Sequence, residues 1–148
     1  MRHSTYSFLD LAGAIANPTF PGGPFIFTGE GVGTITVSMS TDRTAHDVAA
    51  DGSIMVSKIP GNNGQITIEC QQTSLVNKYL TGLYNWLIAE SATVWATSAI
   101  VLRNITDGTN HVATGVSFGK IPDKIYTNQG GKISWTLYAT DISSILIL

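Results

Sequence analysis

The 148-residue sequence is poor in charge, with 8 basic and 10 acidic side chains that make up 12% of the chain. This is about half of the roughly 25% that is usual in soluble domains. A net charge of −2 leaves no excess of cations to hold phosphates, which argues against a free-standing nucleic-acid-binding protein. With 43% hydrophobic residues and so few ions, we expect much of the surface to face other subunits.

Cysteine is nearly absent as well, since Cys70 is the one thiol of the chain. A single cysteine excludes an internal disulfide and a zinc site built from several thiolates, and it fits a protein made in a reducing cytosol. We expect Cys70 to be a small core residue.

Long hydrophobic runs are missing too. The longest charge-free stretch near the start, residues 11–29, contains Pro18, Pro21 and Pro24. These prolines exclude a helix there, and no segment is predicted to span a bilayer. A chain of this length without a change of composition is predicted to be a single domain, residues 1–148.

The sequence is instead rich in β-branched residues, because Ile, Val and Thr make up 43 of the 148 residues, and this favours strands over helices. Several segments alternate between apolar and polar side chains, the period of a strand with one buried face. These segments are Thr34–Ser40, Gln65–Gln71, Ala99–Arg103, His111–Phe118 and Lys132–Tyr138. We predict that the first two pair, and that the fold is mainly β, an antiparallel sandwich or barrel.

One segment has a helical period. Over about residues 74–91 the apolar positions recur every three or four residues, which predicts one α-helix flanking the β-structure. Ser74 suits the N-cap, because its side-chain oxygen can accept a hydrogen bond from a free backbone N–H. The polar residues Asn77, Lys78 and Asn85 are predicted to form its solvent-facing side, a candidate contact surface.

Two segments have no evident place in a monomer. Residues 41–57 are predicted to form a projecting arm, a loop or ribbon between two strands, that contacts a neighbouring subunit. The charged residues of this arm are Asp42, Arg43, His46, Asp47 and Asp51. Residues 141–148 form an apolar C-terminal tail, which we expect to dock on its own sheet or on a neighbour because it would promote aggregation if exposed.

Motifs typical of catalysis are weak in this sequence. The stretch Gly115–Gly119 matches the G-x-S-x-G nucleophile elbow around Ser117, but Pro122 soon after it disfavours the helix that an elbow needs. The hydrolase order also requires a histidine after the serine, and the last histidine is His111. We therefore interpret this stretch as a strand and predict that the protein is not an enzyme.

Ligand-binding motifs are equally weak. The glycine-rich stretch Gly29–Gly33, which includes Glu30, is followed by a predicted strand, whereas a phosphate-binding loop needs a helix behind it. The acidic residues and histidine of the arm match no metal-binding spacing. We predict no cofactor and no metal.

Several short sequence segments, in matching order along the chain, resemble segments of the tail tube proteins of contractile-tailed bacteriophages. They are the opening Ser4–Asp10, the Pro21-Gly22-Gly23 turn, Ala50-Asp51-Gly52, and above all Gln72–Asn77 leading into the helix. The likeness extends over nearly the whole chain. It departs from the family at Asn17–Phe20, an extra apolar stretch, and at the apolar C-terminus.

The resemblance implies a β-sandwich subunit with one flanking helix that assembles into hexameric rings. The rings would stack into a hollow tube inside a contractile sheath, and the tube would conduct DNA during ejection. The implied partners are other copies of the chain, the tail sheath protein, and the tape measure and baseplate or tube-initiator proteins. Phage DNA would pass without specific binding. The implied location is the virion, with assembly in the host cytoplasm.

DNA that moves through such a pore must not adhere, so lumen-facing side chains are expected to be polar and not cationic. Two predicted strands offer polar faces without Lys or Arg, and exposure of these faces to solvent or sheath is the alternative. The candidate lumen-facing residues are Thr34, Thr36, Ser38, Ser40, Gln65, Thr67, Glu69 and Gln71. The arm is the candidate ring-stacking element, and the polar side of the helix is the candidate sheath or inter-subunit surface.

Two other functions remain open from the sequence. The same subunit would serve in a contractile bacteriocin or a secretion system, whose pore carries no genome. A β-sandwich ligand-binding module fits the β content as well, but it requires a concave aromatic or acidic site that the sequence does not indicate.

Overall fold

The computed structural model describes residues 3–29 and 31–146 and contains nine strands and one α-helix within them. The strands are β1 (Leu11–Ala16), β2 (Phe25–Thr28), β3 (Val32–Met39), β4 (Thr44–Val48), β5 (Ile54–Lys58), β6 (Gly64–Gln71), β7 (Ser98–Asn104), β8 (Thr109–Phe118) and β9 (Lys132–Leu146). The helix α1 spans Leu75–Ala89, and short 3₁₀ turns occupy Phe8–Asp10 and Ala92–Val94.

Seven strands form one antiparallel sheet in the order β2-β1-β7-β8-β9-β6-β3, and β4 and β5 form a separate two-stranded ribbon. The large sheet curls into a half-barrel. The prediction of a mainly β, antiparallel fold with one flanking helix is thereby confirmed. The predicted pairing of the first two alternating segments is also present, as β3 and β6.

The core lies on the side of the sheet that α1 covers. Along β6, and along β9 from Ile133 to Ala139, every second side chain is buried, as the alternation of the sequence predicts. From the helix, Val76, Leu80, Leu83 and Leu87 join the same core, one per turn. Cys70 is fully buried there, and burial raises the pKa of its thiol.

The helix begins where the capping residue predicts. Ser74 has an extended backbone, with φ −68° and ψ 154°, and its Oγ accepts a hydrogen bond of 3.2 Å from the backbone N–H of Asn77. The helix ends at Ala89, two residues before the predicted end, and the N–H of Glu90 closes the last turn on Leu87.

Strands β1 and β2 were not predicted. Strand β1 consists mostly of Ala and Gly, which give no alternation of apolar and polar residues, and β2 has only four residues. The small side chains of β1 are explained by packing, because a Cβ at Gly13 would collide with the ring of Phe27 on β2. The two strands thus approach closely enough for Phe27 to fill the space over Gly13.

A buried polar group joins the helix to the sheet. Trp135 on β9 is fully buried, and its indole N–H donates a hydrogen bond of 3.0 Å to Oδ1 of Asn77. The Asn77 amide group in turn donates to the backbone carbonyl of Gln72 at 3.1 Å. Asn77 is only 7% exposed, so the prediction that it belongs to the solvent-facing side of the helix is wrong. It satisfies the indole N–H, which would otherwise be unpaired in the core.

Asn77→Ala is expected to lower the free energy of unfolding by about 1–3 kcal/mol, because it leaves the buried indole N–H of Trp135 without an acceptor. Asn85→Ala is the matched control, since Asn85 is exposed on the same helix and should change stability by less than about 0.5 kcal/mol. Urea unfolding monitored by tryptophan fluorescence measures both. Equal stability of the two variants would contradict a structural role for Asn77.

Candidate assembly surfaces

The side of the large sheet away from α1 carries a continuous polar surface on β3, β6 and β9, which we call the polar wall. Cross-strand pairing aligns Thr36 with Thr67, and Thr67 with Thr136. The wall consists of Thr34, Thr36, Ser38, Gln65, Thr67, Glu69, Gln71, Lys132, Ser134, Thr136 and Tyr138. None of these residues is buried.

Seven of the eight candidate lumen-facing residues lie together on this wall. Ser40 is the exception in position, because it follows the end of β3, where its N–H donates to the carbonyl of Asn63 at 3.0 Å. The third strand of the wall, β9, was not assigned to this surface from the sequence, although polar residues alternate with apolar ones along Lys132–Tyr138. Pairing of β9 with β6 is the information that the sequence alone did not supply.

Strand β9 adds one cation to a wall that had none on β3 and β6. The Nζ atom of Lys132 lies 3.7 Å from Oε1 of Glu69 on the neighbouring strand. These two side chains are the ionisable acid and base of the wall, so their charges cancel locally. The strand residues of the polar wall are therefore balanced in charge, and Lys120 of the segment after β8 lies at the edge of the wall, beside Ser134, Thr136 and Tyr138.

The arm is an antiparallel ribbon of β4 and β5, in register from Thr44 with Lys58 to Val48 with Ile54. It pairs with no other strand in the described part of the chain, and all ten of its strand residues are exposed. At its turn, Oδ1 of Asp51 accepts the N–H of Ser53 at 3.0 Å, which lowers the pKa of the Asp51 carboxyl. At its base, the Arg43 guanidinium donates to the side-chain oxygen of Asn62.

The ionisable residues of the arm do not converge on one point. His46 and Asp47 are consecutive in β4 and therefore project from opposite faces of the ribbon, while Asp42 lies before β4 and Asp51 lies in the turn. Across residues 3–29 and 31–146, no group of three or more His, Cys, Asp or Glu side chains is arranged to hold a metal ion. The arm thus presents separate charges rather than a chelating cluster.

One face of the arm carries three adjacent apolar side chains beside His46, and the sequence analysis missed them. Val48 and Ile54 are directly opposite each other, and Val56 lies two residues further along the same face. We call these three residues the apolar face of the arm. Alternation of Ile54 and Val56 was the available indication, but the short strand was obscured by the charged residues before it.

The exposed side of α1 carries the two remaining residues of the helix surface. Lys78 and Asn85 are exposed, whereas Asn77 is withdrawn into the core. Of the three residues predicted to form a contact surface on the helix, Lys78 and Asn85 therefore remain candidates.

Ser117 does not lie in a nucleophile elbow. It is the ninth residue of the ten-residue strand β8, opposite Tyr138, and no helix follows it in the next residues. His111 contacts Ser144 instead, with Nδ1 2.7 Å from Oγ. Gly115 has a positive φ of 62° where the buried positions of β8 shift from Ala113 to Val116, so it serves a bend of the strand.

Two further segments singled out in the sequence, the C-terminal tail and the glycine-rich stretch, lie partly outside the described residues. Residues 141–146 continue β9 and pair with β8, and Ile145 and Leu146 keep exposed side chains. Ile147 and Leu148 of the predicted tail, and Glu30 of the glycine-rich stretch, are outside the described residues. Strand β3, not a helix, follows that stretch. None of the helices found in the described residues is long and apolar enough to cross a membrane.

Comparison with protein families gives one match over nearly the whole chain. The family model described as "Bacteriophage PhiTE tail tube protein" matches residues 3–147. No curated protein sequence matches the chain.

Solved structures of similar fold come from contractile particles. A chain of the anti-feeding prophage baseplate, determined by cryo-electron microscopy with sixfold symmetrisation, is 14% identical, with 98% of this chain and 97% of that chain covered and a TM-score of 0.64. A chain of the extended sheath–tube complex of the extracellular contractile injection system PVC is 8% identical, with coverages of 97% and 93% and a TM-score of 0.59. A chain of the PVC sheath/tube terminator is 10% identical, with coverages of 97% and 98% and a TM-score of 0.60. At these identities the likeness is one of fold.

Proposed function

The chain belongs to the bacteriophage PhiTE tail tube protein family, and from this premise we propose that it builds the inner tube of a contractile phage tail. Six copies would form a ring, and rings would stack into a hollow tube inside the sheath. The observation that carries the proposal is the family match over residues 3–147, and the polar wall supplies a surface suited to the lumen.

The dimensions of such a ring are compatible with DNA. Four neighbouring strands, β8, β9, β6 and β3, include the polar wall. If six subunits each contribute these four, 24 strands at ~4.8 Å spacing and ~40° tilt give a circumference near ~150 Å and a backbone diameter near ~48 Å. Double-stranded DNA fits within this diameter after the side chains are allowed for.

The chemistry of the wall suits a surface along which DNA slides. Hydroxyl and amide side chains hydrogen-bond water as readily as phosphate, and the Glu69–Lys132 pair prevents the lysine from acting as an isolated phosphate contact. The function requires no bond to be made or broken, so the chain acts as a structural protein and not as an enzyme.

The proposed partners follow from the position of each surface. Other copies of the chain contact the edges of the sheet and the arm, and the sheath contacts the outside, for which Lys78 and Asn85 on α1 are candidates. The baseplate or tube initiator and the tape measure protein would meet the ends and the interior of the tube. The chain would be part of the virion after assembly in the host cytoplasm.

A second candidate is the tube of a contractile bacteriocin or injection system that carries no genome. It is favoured by the likeness in fold to chains of the anti-feeding prophage and of PVC. The family match favours the phage tail. The two candidates share the ring and the tube and differ only in the cargo.

The purified protein is expected to form rings or stacked hollow tubes as its concentration rises. Negative-stain electron microscopy and sedimentation velocity across a concentration series detect both. A chain that stays monomeric at every concentration and also fails to join tubes seeded with assembled tail would oppose the proposal.

Deletion of the arm, with residues 43–59 replaced by a short glycine-containing turn, is expected to leave folded subunits that do not polymerise. The ribbon pairs only with itself, so the pairing of β3 with β6 does not depend on it. Circular dichroism and urea unfolding check the fold, and electron microscopy checks assembly. Tubes of normal length from this variant would contradict a stacking role for the arm.

Thr67→Lys is expected to slow DNA ejection at least severalfold, and more at low salt, because it places an unpaired cation at the centre of the polar wall. Thr67→Gln has similar reach without charge and should eject at the normal rate. Time-resolved ejection from purified particles, monitored by a DNA dye, measures the rate.

The ion pair gives an internal check on this explanation. Glu69→Gln should slow ejection by leaving Lys132 unpaired, and addition of Lys132→Gln should restore the rate. Assembled particles of all these variants that eject at the normal rate would show that the polar wall does not line the lumen.

A further inference from the structure

The base of the arm contains an Asn-Gly pair, Asn63-Gly64, in the segment that leads from β5 into β6. An asparagine followed by glycine is prone to lose its side-chain amide, because glycine has no side chain to obstruct the attack of its backbone nitrogen on the asparagine Cγ. Asn63 is exposed, and Gly64 is the first residue of β6. The Gly64 nitrogen is therefore at the end of a strand, where local opening requires the least free energy.

Both residues of the pair have a structural role. A Cβ at Gly64 would overlap the carbonyl oxygen of Ser38 on β3 and lie 2.8 Å from Cδ1 of Ile142 on β9, so the position requires glycine. The carbonyl oxygen of Asn63 accepts the N–H of Ser40 at 3.0 Å. The pair thus forms part of the joint between the arm and the large sheet.

The side chain of Asn63 has a specific partner. The Thr41 hydroxyl donates a hydrogen bond of 2.6 Å to Oδ1 of Asn63, which joins the two ends of the arm. When the Gly64 nitrogen attacks the Asn63 Cγ, negative charge develops on this same oxygen. A donor already placed on an oxygen that becomes negative stabilises the transition state. Thr41 therefore favours the reaction as well as holding the side chain.

We propose that Asn63 deamidates in the folded subunit, with the Thr41 hydroxyl as the donor to the developing oxyanion. The Gly64 nitrogen loses its proton to hydroxide and forms a bond to Cγ, and the amide nitrogen takes a proton from water and leaves as ammonia. Water then opens the resulting succinimide at one of its two carbonyls, which gives aspartate or isoaspartate. The reaction consumes only water.

Either product changes the base of the arm. It places a carboxylate beside Thr41 and adds one negative charge to a subunit whose net charge is −2. Isoaspartate also routes the main chain through the side-chain carbons, so the chain becomes one carbon longer at the residue whose carbonyl accepts the N–H of Ser40. The arm is then no longer held in its original direction. An effect on assembly rests on the proposed function, whereas the deamidation does not.

Mass spectrometry tests the chemistry. The purified protein is incubated in mildly alkaline buffer and digested, and the peptide containing residue 63 is followed for the mass gain of an amide-to-acid change and for isoaspartate. Thr41→Val keeps the shape of the side chain without its hydroxyl and is expected to slow conversion at least fivefold. Thr41→Ser keeps the hydroxyl and should convert within twofold of the wild-type rate. The rate should rise with pH, because hydroxide removes the proton of the attacking nitrogen.

A second asparagine is an internal control in the same sample. Asn104 also accepts a hydrogen bond on Oδ1, from the backbone N–H of Thr106 at 3.0 Å, but it precedes Ile105. The branched side chain of Ile105 obstructs the attacking nitrogen. Asn104 should therefore convert at least tenfold more slowly than Asn63.

Unfolding separates the effect of the fold from that of the sequence. In concentrated urea the rates of the wild-type protein and Thr41→Val should become equal, because Thr41 no longer contacts Asn63. Equal rates of these two proteins in the native state would overturn the proposal. Conversion at residue 63 that occurs only in urea would overturn it as well, since the fold would then protect the amide.

Assembly gives a separate readout for the effect on the arm. Protein aged until residue 63 has converted is expected to need at least a threefold higher concentration for tube formation than fresh protein. Asn63→Gln should be unchanged by the same ageing, because glutamine must close a six-membered ring and deamidates far more slowly. Unchanged tube formation by converted protein would show that the effect on the arm is wrong. Fresh protein that forms no tubes would count against the proposed function, and the mass measurement would still decide the deamidation.

Discussion

A single helix has to cover one face of a seven-stranded sheet, and the rest of the structure depends on this imbalance. The helix and the curl of the sheet bury one face around Trp135, Leu80 and Leu83. On the opposite face, the segment after β8 lies beside Ser134, Thr136 and Tyr138, and the exposed residues of this face must be compatible with water or with another copy. The strands β3, β6 and β9 meet the first condition with hydroxyl and amide side chains.

The elements with a strong period were predictable from sequence because one face of each is buried and the other is wet. This applies to β6 and to β9 as far as Ala139, where burial alternates residue by residue, and to α1 with Ser74 as its cap. Strand β1 lacked any such pattern because its inward positions include Gly13, whose space is filled by Phe27 from the next strand. Glycine is required at this position by a contact with a residue in another strand, so the local sequence pattern of β1 does not reveal it.

The candidate surfaces likewise include residues that a local sequence pattern predicts and residues that only the contacts of the folded chain bring together. Polar residues on β3 and β6 could be grouped from alternation alone, but the share of β9 in the wall depended on strand order. Asn77 was misplaced because a polar residue at a helical spacing is usually exposed, whereas here it accepts the hydrogen bond of a buried indole. The apolar face of the arm was missed because pairing of Val48 with Ile54 exists only once the ribbon has formed.

Low charge and self-assembly are connected through these surfaces. In the proposed tube, a subunit that presents one sheet face as a near-neutral wall and its arm as a contact would have few places where isolated ions are tolerated. Some of the charges that remain lie on the exposed arm, and those of Glu69 and Lys132 cancel in place. Under the proposed function, a small number of charges suits both a wall along which DNA slides and interfaces between copies of the chain. A monomer with the same fold and a solvated surface would have no such restriction, and its wall and arm would be free to carry the usual share of Lys and Glu.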